Sequence, residues 1–208
     1  RVVVVTSPAP ADGKTTTVLA LATILAADQK RVLVIDADVR KPSHHALTGH
    51  PPSPGLHELL TGRFDDAAVT RAVHVTGGRF DSIGAGVGTP VELLSSPRMA
   101  ELLVRARHHY DYVLLDSPSF PLLSDALMLA RYSDLVLSVV RLGNTPRKLA
   151  EEHVRAFDAK QVGHALVVNA SDVATIYGYP EYAGGAAVLA SQRAADGVER
   201  TESGSHLQ

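Results

Sequence analysis

Residues 1–17, RVVVVTSPAPADGKTTT, restrict the fold more than any other stretch of this chain. Val2 to Val5 is a β-branched run short enough to be one buried strand, as the core of a parallel sheet requires. A turn of Pro, Ala and Ser leads to Gly13-Lys14-Thr15, after which VLALATILA opens a helix. Strand, phosphate-sized loop and helix N-terminus in that order make an anion site. The first-turn N–H groups have no partner within the helix, and the positive end of its dipole faces the ligand. Lys14 adds a point charge for β and γ phosphates, and the Thr15 hydroxyl can ligate Mg²⁺. The match is partial, because G-x-x-x-x-G-K-[ST] has its first glycine where Pro8 stands.

The rest of the chain repeats an alternation of strand and helix. Thr15 to Ala27 reads as a helix with apolar residues on most faces, expected to be well buried. Val32 to Ile35 is a second buried strand ending in Asp36-Ala37-Asp38. Residues 41–54 hold four prolines and read as a loop with room for a short helix. Gly55 to Leu60 reads as a helical turn, Phe64 to Val73 as a short helix, and Phe80 to Ile83 as a strand after the Gly77-Gly78 turn. Val91 to His108 has helical spacing, and Val113 to Leu115 is a strand ending at Asp116. Helix at 125–131, strand at 135–140, helix at 146–159 and strand at 165–168 complete the series. Short connections between alternating elements predict an α/β fold with a doubly wound, mostly parallel sheet flanked by helices, and the Gly13-Lys14-Thr15 loop after its first strand makes the expected fold the P-loop NTPase type. The folded domain is expected over residues 1–170. Residues 171–208 lose periodicity and, rich in Ala, Gly, Ser and charge, are expected to form a flexible tail.

Composition narrows the chemistry. A formal charge of −2 over 208 residues gives no electrostatic case for nucleic acid or an anionic membrane face. The chain has no cysteine, which excludes disulfides and thiolate metal sites. No apolar run approaches the roughly 18 residues of a spanning helix, so a cytoplasmic protein is expected. The chain opens with Arg directly in a strand, as a fragment of a longer protein would.

Ligands of such a sheet gather at the carboxyl ends of its strands, where Asp36, Asp38 and Asp116 fall. A carboxylate at a buried strand end is costly unless paired, hydrated or facing a metal. Three beside a Lys-Thr anion site suggest Mg²⁺ held by Thr15, phosphate oxygens and water. The adjacent pairs His44-His45 and His108-His109 are set aside as metal sites, because neighbouring residues in a helix or strand point apart.

These motifs resemble one family. VLVIDADVRKP looks like the Walker A′ motif of the bacterial tyrosine kinases of polysaccharide export, P-loop relatives of partition-type ATPases. DYVLLDSPS resembles their Walker B motif and SPAPADGKT their Walker A. The similarity continues through GLHELLTG, PVELLSSPRMAELL, VVRLGNT and VVNA. The resemblance implies ATP and Mg²⁺ as cofactors and phosphoryl transfer to tyrosine. Gly13, Lys14, Thr15 and Thr16 would bind the nucleotide, with Lys14 on the terminal phosphates and Thr16 on the α-phosphate. Asp36 would accept the tyrosine proton, Asp38 and Asp116 would hold the metal with Thr15, and Asn169 would contact adenine.

Three of the six tyrosines fall within Tyr177-Gly178-Tyr179-Pro180-Glu181-Tyr182. The resemblance makes Tyr177, Tyr179 and Tyr182 the autophosphorylation sites, modified in trans within a homo-oligomer. It also implies a membrane polysaccharide co-polymerase, or an activating segment ahead of Arg1, as partner at the inner face of the membrane. Two positions depart from the family: Ala11 replaces a glycine before the acidic residue and GK, and Ser119 replaces a proline. Two other readings stay open. One is a partition or septum-site ATPase, although Ala9 stands where those carry a signature lysine. The other is a catalytically weak nucleotide-binding regulator of the export machine.

Overall fold

The buried apolar runs become seven strands in the computed structural model, which describes residues 1–62, 66–77, 79–119, 124–158 and 162–170. They are β1 (Val2–Thr6), β2 (Val32–Asp36), β3 (His74–Thr76), β4 (Phe80–Ile83), β5 (Tyr112–Asp116), β6 (Leu135–Arg141) and β7 (His164–Asn169). They form one sheet in the order β3-β4-β2-β5-β1-β6-β7. All neighbours are parallel except the β3–β4 pair. The helices are α1 (Lys14–Ala27), α2 (His44–Thr48), α3 (Leu56–Thr61), α4 (Asp66–Ala72), α5 (Pro97–His109), α6 (Ser124–Ala130) and α7 (Arg147–Asp158). Arg1–Asn169 forms one compact unit. The expected tail, with Tyr177, Tyr179 and Tyr182, lies outside the described residues. Among the described residues, no helix is long and apolar enough to cross a membrane.

Successive strand side chains point to opposite faces, so β1 contributes to two cores. Val2 and Val4 join Leu33, Ile35, Val113 and Leu115 against Leu56, Met99, Leu102 and Leu129. Val3 and Val5 join Val32, Val34 and Leu114 against Val18 and Ala22 of α1. Each such Val, Leu, Ile or Met side chain, fully buried, contributes about 1.5–3 kcal/mol. The register sets the carboxyl ends of β1, β2 and β5 level, for Asp116 is the partner of Val5 on one side and of Asp36 on the other.

Three expectations are corrected. Helix α1 is not well buried: only Val18 and Ala22 are inaccessible, and Ile24 is 66% exposed. It covers one face of the sheet as an outer layer, so its apolar outer side meets no second layer of described residues. The single helix expected over 91–108 is two elements, a 3-10 helix at Val91–Ser95 and α5. Pro97 disfavours helical backbone at Ser96, which turns extended and caps α5 by accepting from the Met99 N–H. Strand β3 was not expected. Its half-exposed His-Val-Thr sequence has no apolar alternation, and only pairing with β4 defines it.

Candidate active site

The loop after β1 is shaped by two left-handed residues, Ala11 at φ 63° and Gly13 at φ 97°. At Gly13 a Cβ would also overlap the side-chain amide of Asn169, so glycine is required there. Asp12 between them is completely buried. Its carboxylate accepts from the Ala9 N–H at 2.9 Å, from Asn144 Nδ2 at 2.9 Å and from Thr145 Oγ1 at 2.7 Å. Asn169 Nδ2 donates to the Asp12 carbonyl at 2.8 Å. The loop is thereby fastened to the turn after β6 and to the end of β7. Helix α1 starts on Gly13 with no side-chain cap and no acidic residue in its first turn. Its opening N–H groups and dipole therefore favour an anion, and Lys14 stands at that end.

Across from the loop stand the strand-end carboxylates. Asp36, only 1% exposed, accepts from the Asp38 N–H at 3.1 Å through Oδ1. Its Oδ2 accepts from the N–H groups of Ser43 and His44, each at 3.2 Å. Burial holds Asp36 above the ordinary carboxylate range; the nearby His44 opposes this and the charge of Asp116 adds to it. Asp38 is also raised by burial, against the Lys41 N–H it accepts and the charge of Lys14. Lys14 is thus within electrostatic reach of Asp38. Arg40 of the same segment forks onto the buried Asp125, at 2.7 Å through Nε and 3.3 Å through Nη2, which anchors the loop after β2 to α6.

Asp116 Oδ2 faces His44 Nε2 at 3.0 Å, both residues buried. Burial alone would lower His44, but the bond to Asp116 and the charges of Asp36, Asp116 and Asp38 leave it raised. Asp116 Oδ1 is buried with no hydrogen-bond partner among the described residues. An orphaned carboxylate oxygen in a site of hard oxygen donors fits Mg²⁺. Thr15 Oγ1 lies 3.4 Å from Ser43 Oγ, which brings the helix start to the segment that carries Asp36 and Asp38.

The site residues expected from sequence thus divide. Gly13, Lys14 and Thr15 form the loop's end, while Asp36, Asp38 and Asp116 gather at neighbouring strand ends. Thr16 is exposed on the first turn of α1. Asn169 is tied to the loop main chain. Two residues were not expected in the site. Asp12 is the loop's internal anchor, and its only sequence signal is an acidic residue before GK. His44 belongs to the cluster although the His44-His45 pair does not: His45 is exposed, as the argument from direction requires. A cavity of 680 Å³ lies at the other end of β2, lined in part by Arg31, Leu33, Phe80 and Tyr110, and contains none of these groups. Phosphate recognition by main-chain N–H groups needs no deep pocket.

A strand–loop–helix anion site with carboxylates on the adjoining strand ends defines a P-loop nucleotide-binding domain. A family model described as an AAA domain matches residues 2–145. The kinase domain of the Escherichia coli tyrosine kinase ETK superposes with a TM-score of 0.73 at 32% identity, over 86% of this chain and 72% of that one. In sequence, the chain is 37% identical over 181 residues to the putative tyrosine-protein kinase EpsB of Ralstonia solanacearum, covering 86% of this chain and 24% of that protein. It is 32% identical over 192 residues to the succinoglycan biosynthesis transport protein ExoP of Rhizobium meliloti (strain 1021), covering 88% and 24%. The chain belongs to the family of bacterial tyrosine-kinase domains. It spans about a quarter of the length of the curated relatives it matches.

Proposed function

We propose that this chain is an ATP-dependent protein-tyrosine autokinase that regulates exopolysaccharide or capsule synthesis and export. The observation that carries the reading is the level pairing of Asp36 and Asp116 beside the Lys14 loop. It offers one carboxylate for a proton and another for a cation, next to an anion cradle. Likeness to ETK and EpsB supports tyrosine as acceptor, and likeness to ExoP supports the polysaccharide setting.

In this reading, Lys14 and the opening N–H groups of α1 bind the terminal phosphates of ATP. Thr15, Asp38 and Asp116 would hold Mg²⁺, which would supply charge neutralisation for the phosphoryl group. Asp36 accepts the proton of the incoming tyrosine hydroxyl as its oxygen bonds to the γ-phosphorus; the bond to the β-phosphate oxygen breaks and ADP leaves. A raised pKa suits Asp36 to receive that proton. Both its oxygens already accept main-chain N–H groups, which fix its direction, yet an ionised carboxylate has about four acceptor sites and keeps capacity for one more. Thr16 and Asn169 complete the nucleotide contacts. The substrate tyrosines are Tyr177, Tyr179 and Tyr182, presented in trans by another copy, with a membrane co-polymerase segment as activator. Ala9, where partition-type ATPases carry a signature lysine, disfavours that alternative.

The test is Asp36→Asn. Its affinity for a non-hydrolysable ATP analogue without Mg²⁺ should match the natural chain, while phosphoryl transfer to tyrosine is lost. Transfer at the natural rate would remove Asp36 from the mechanism.

A further inference from the structure

We propose that His44 is a positioning residue of this site, joining the proton-accepting carboxylate to the metal-binding one and leaving a single oxygen of Asp116 for the cation. The inference rests on the kinase reading for what the cation does, but its geometry stands by itself. Asp36 and Asp116 are register partners on adjacent parallel strands, both buried. Two carboxylates so placed repel each other unless a donor stands between them. His44 is that donor twice over. Its main-chain N–H serves Asp36 Oδ2 at 3.2 Å, and its ring Nε2 meets Asp116 Oδ2 at 3.0 Å.

An ionised carboxylate only accepts, so the ring nitrogen facing Asp116 carries the hydrogen. This fixes which oxygen of Asp116 is occupied. Oδ1 remains buried and unpartnered among the described residues, the atom a cation can take without breaking an existing bond. His44 is 2% exposed, so its ring cannot turn out to solvent while the fold is intact. The short helix α2 starts at His44 just after Ser43, and Asp36 takes the N–H groups of both. The ring position is therefore set by the same carboxylate that is proposed to accept the proton. His45, one residue on and exposed, cannot substitute.

Hydrogen-bonding partners behind metal ligands typically govern 10–100-fold of metal affinity. The experiment titrates Mg²⁺ into the full chain holding a fluorescent non-hydrolysable ATP analogue, with Mn²⁺ binding read by electron paramagnetic resonance. His44→Phe keeps the ring volume and removes the donor; it should need roughly 10-fold more Mg²⁺ or beyond. Its metal-free analogue affinity should stay at the natural value. His44→Gln, which restores an N–H donor at similar reach, should recover most of the Mg²⁺ affinity. Natural Mg²⁺ affinity in His44→Phe would overturn the proposal, as would failure of His44→Gln to recover it. If His44→Phe does not fold, the ¹⁵N signal of His44 Nε2 in the natural chain decides instead. It should move when Mg²⁺ joins the analogue complex, and an unmoved signal refutes the link. A natural chain whose analogue binding ignores Mg²⁺ would instead overturn the kinase reading.

Discussion

Replacing Ala11 by glycine should stabilise this protein, although it removes a side-chain atom. Ala11 sits at φ 63° within the loop, between a turn of prolines and the buried Asp12. For a residue with a Cβ, the left-handed region costs about 1–2 kcal/mol relative to glycine. Glycine gives back about 0.4–1 kcal/mol by enlarging the unfolded ensemble. The difference spans about 0–1.6 kcal/mol and is centred on a net gain of about 0.8 kcal/mol for Ala11→Gly. The Ala11 side chain is exposed, so no packing is lost. The Ala11 carbonyl that accepts from Arg141 Nη1 at 3.3 Å is main chain and survives the change. For a domain of this size, a gain of that order raises Tm by about 1–4 °C. Urea unfolding at constant m-value, followed by circular dichroism, measures the change. Ala11→Val is the companion variant: a β-branched residue at positive φ should be less stable than the natural chain. Equal stability of all three proteins, or a less stable glycine variant, would refute the strain argument.

Two further outcomes follow from buried groups. Asp12→Ala strips the acceptor from three donors, Ala9 N–H, Asn144 and Thr145. It should cost about 2–3 kcal/mol in urea unfolding and weaken nucleotide binding by releasing the loop; a neutral variant would show that the loop needs no anchor. His153, fully buried against Ser138, has its pKa pushed down to about 4 by burial first and by His164 second, with Asp12 opposing. The unfolded chain therefore binds the extra proton first, and stability should fall as pH drops from about 6.5 to about 4, by up to ~3 kcal/mol. The raised Asp36 and Asp38 act in the opposite sense as pH falls toward the carboxylate range. The difference in pH slope between the natural chain and His153→Gln isolates the histidine, and identical slopes would contradict the assignment.

What sequence could convey follows from the range of each interaction. Buried strands such as Val2–Val5 and Val32–Ile35 carry their environment in local composition, so the parallel sheet was legible. Strand ends in such a sheet lie together, so the placing of Lys14, Asp36, Asp38 and Asp116 at one end of the sheet was legible as well. The break at Ser96-Pro97 was visible in its proline, yet the helical spacing on both sides masked it. The contacts of His44 and Asp12 were not legible. His44 meets Asp116 across 72 positions of sequence and Asp12 meets Thr145 across 133, contacts that exist only once the strands are in register. Exposure of the outer side of α1 was hidden for the same reason: an apolar periodicity reports what a helix can bury, not what is there to cover it.

The claim that this site transfers phosphate to tyrosine is tested most directly by whole-protein mass after incubation with ATP and Mg²⁺. Additions of about 80 Da per phosphate are expected, mapping to Tyr177, Tyr179 or Tyr182. They should form at a rate per molecule that rises with protein concentration and disappear when all three tyrosines are replaced by phenylalanine. The measurement is made with and without the membrane co-polymerase segment. ATP consumed with the protein mass unchanged in both conditions, or phosphate incorporated undiminished in the triple phenylalanine variant, would contradict it.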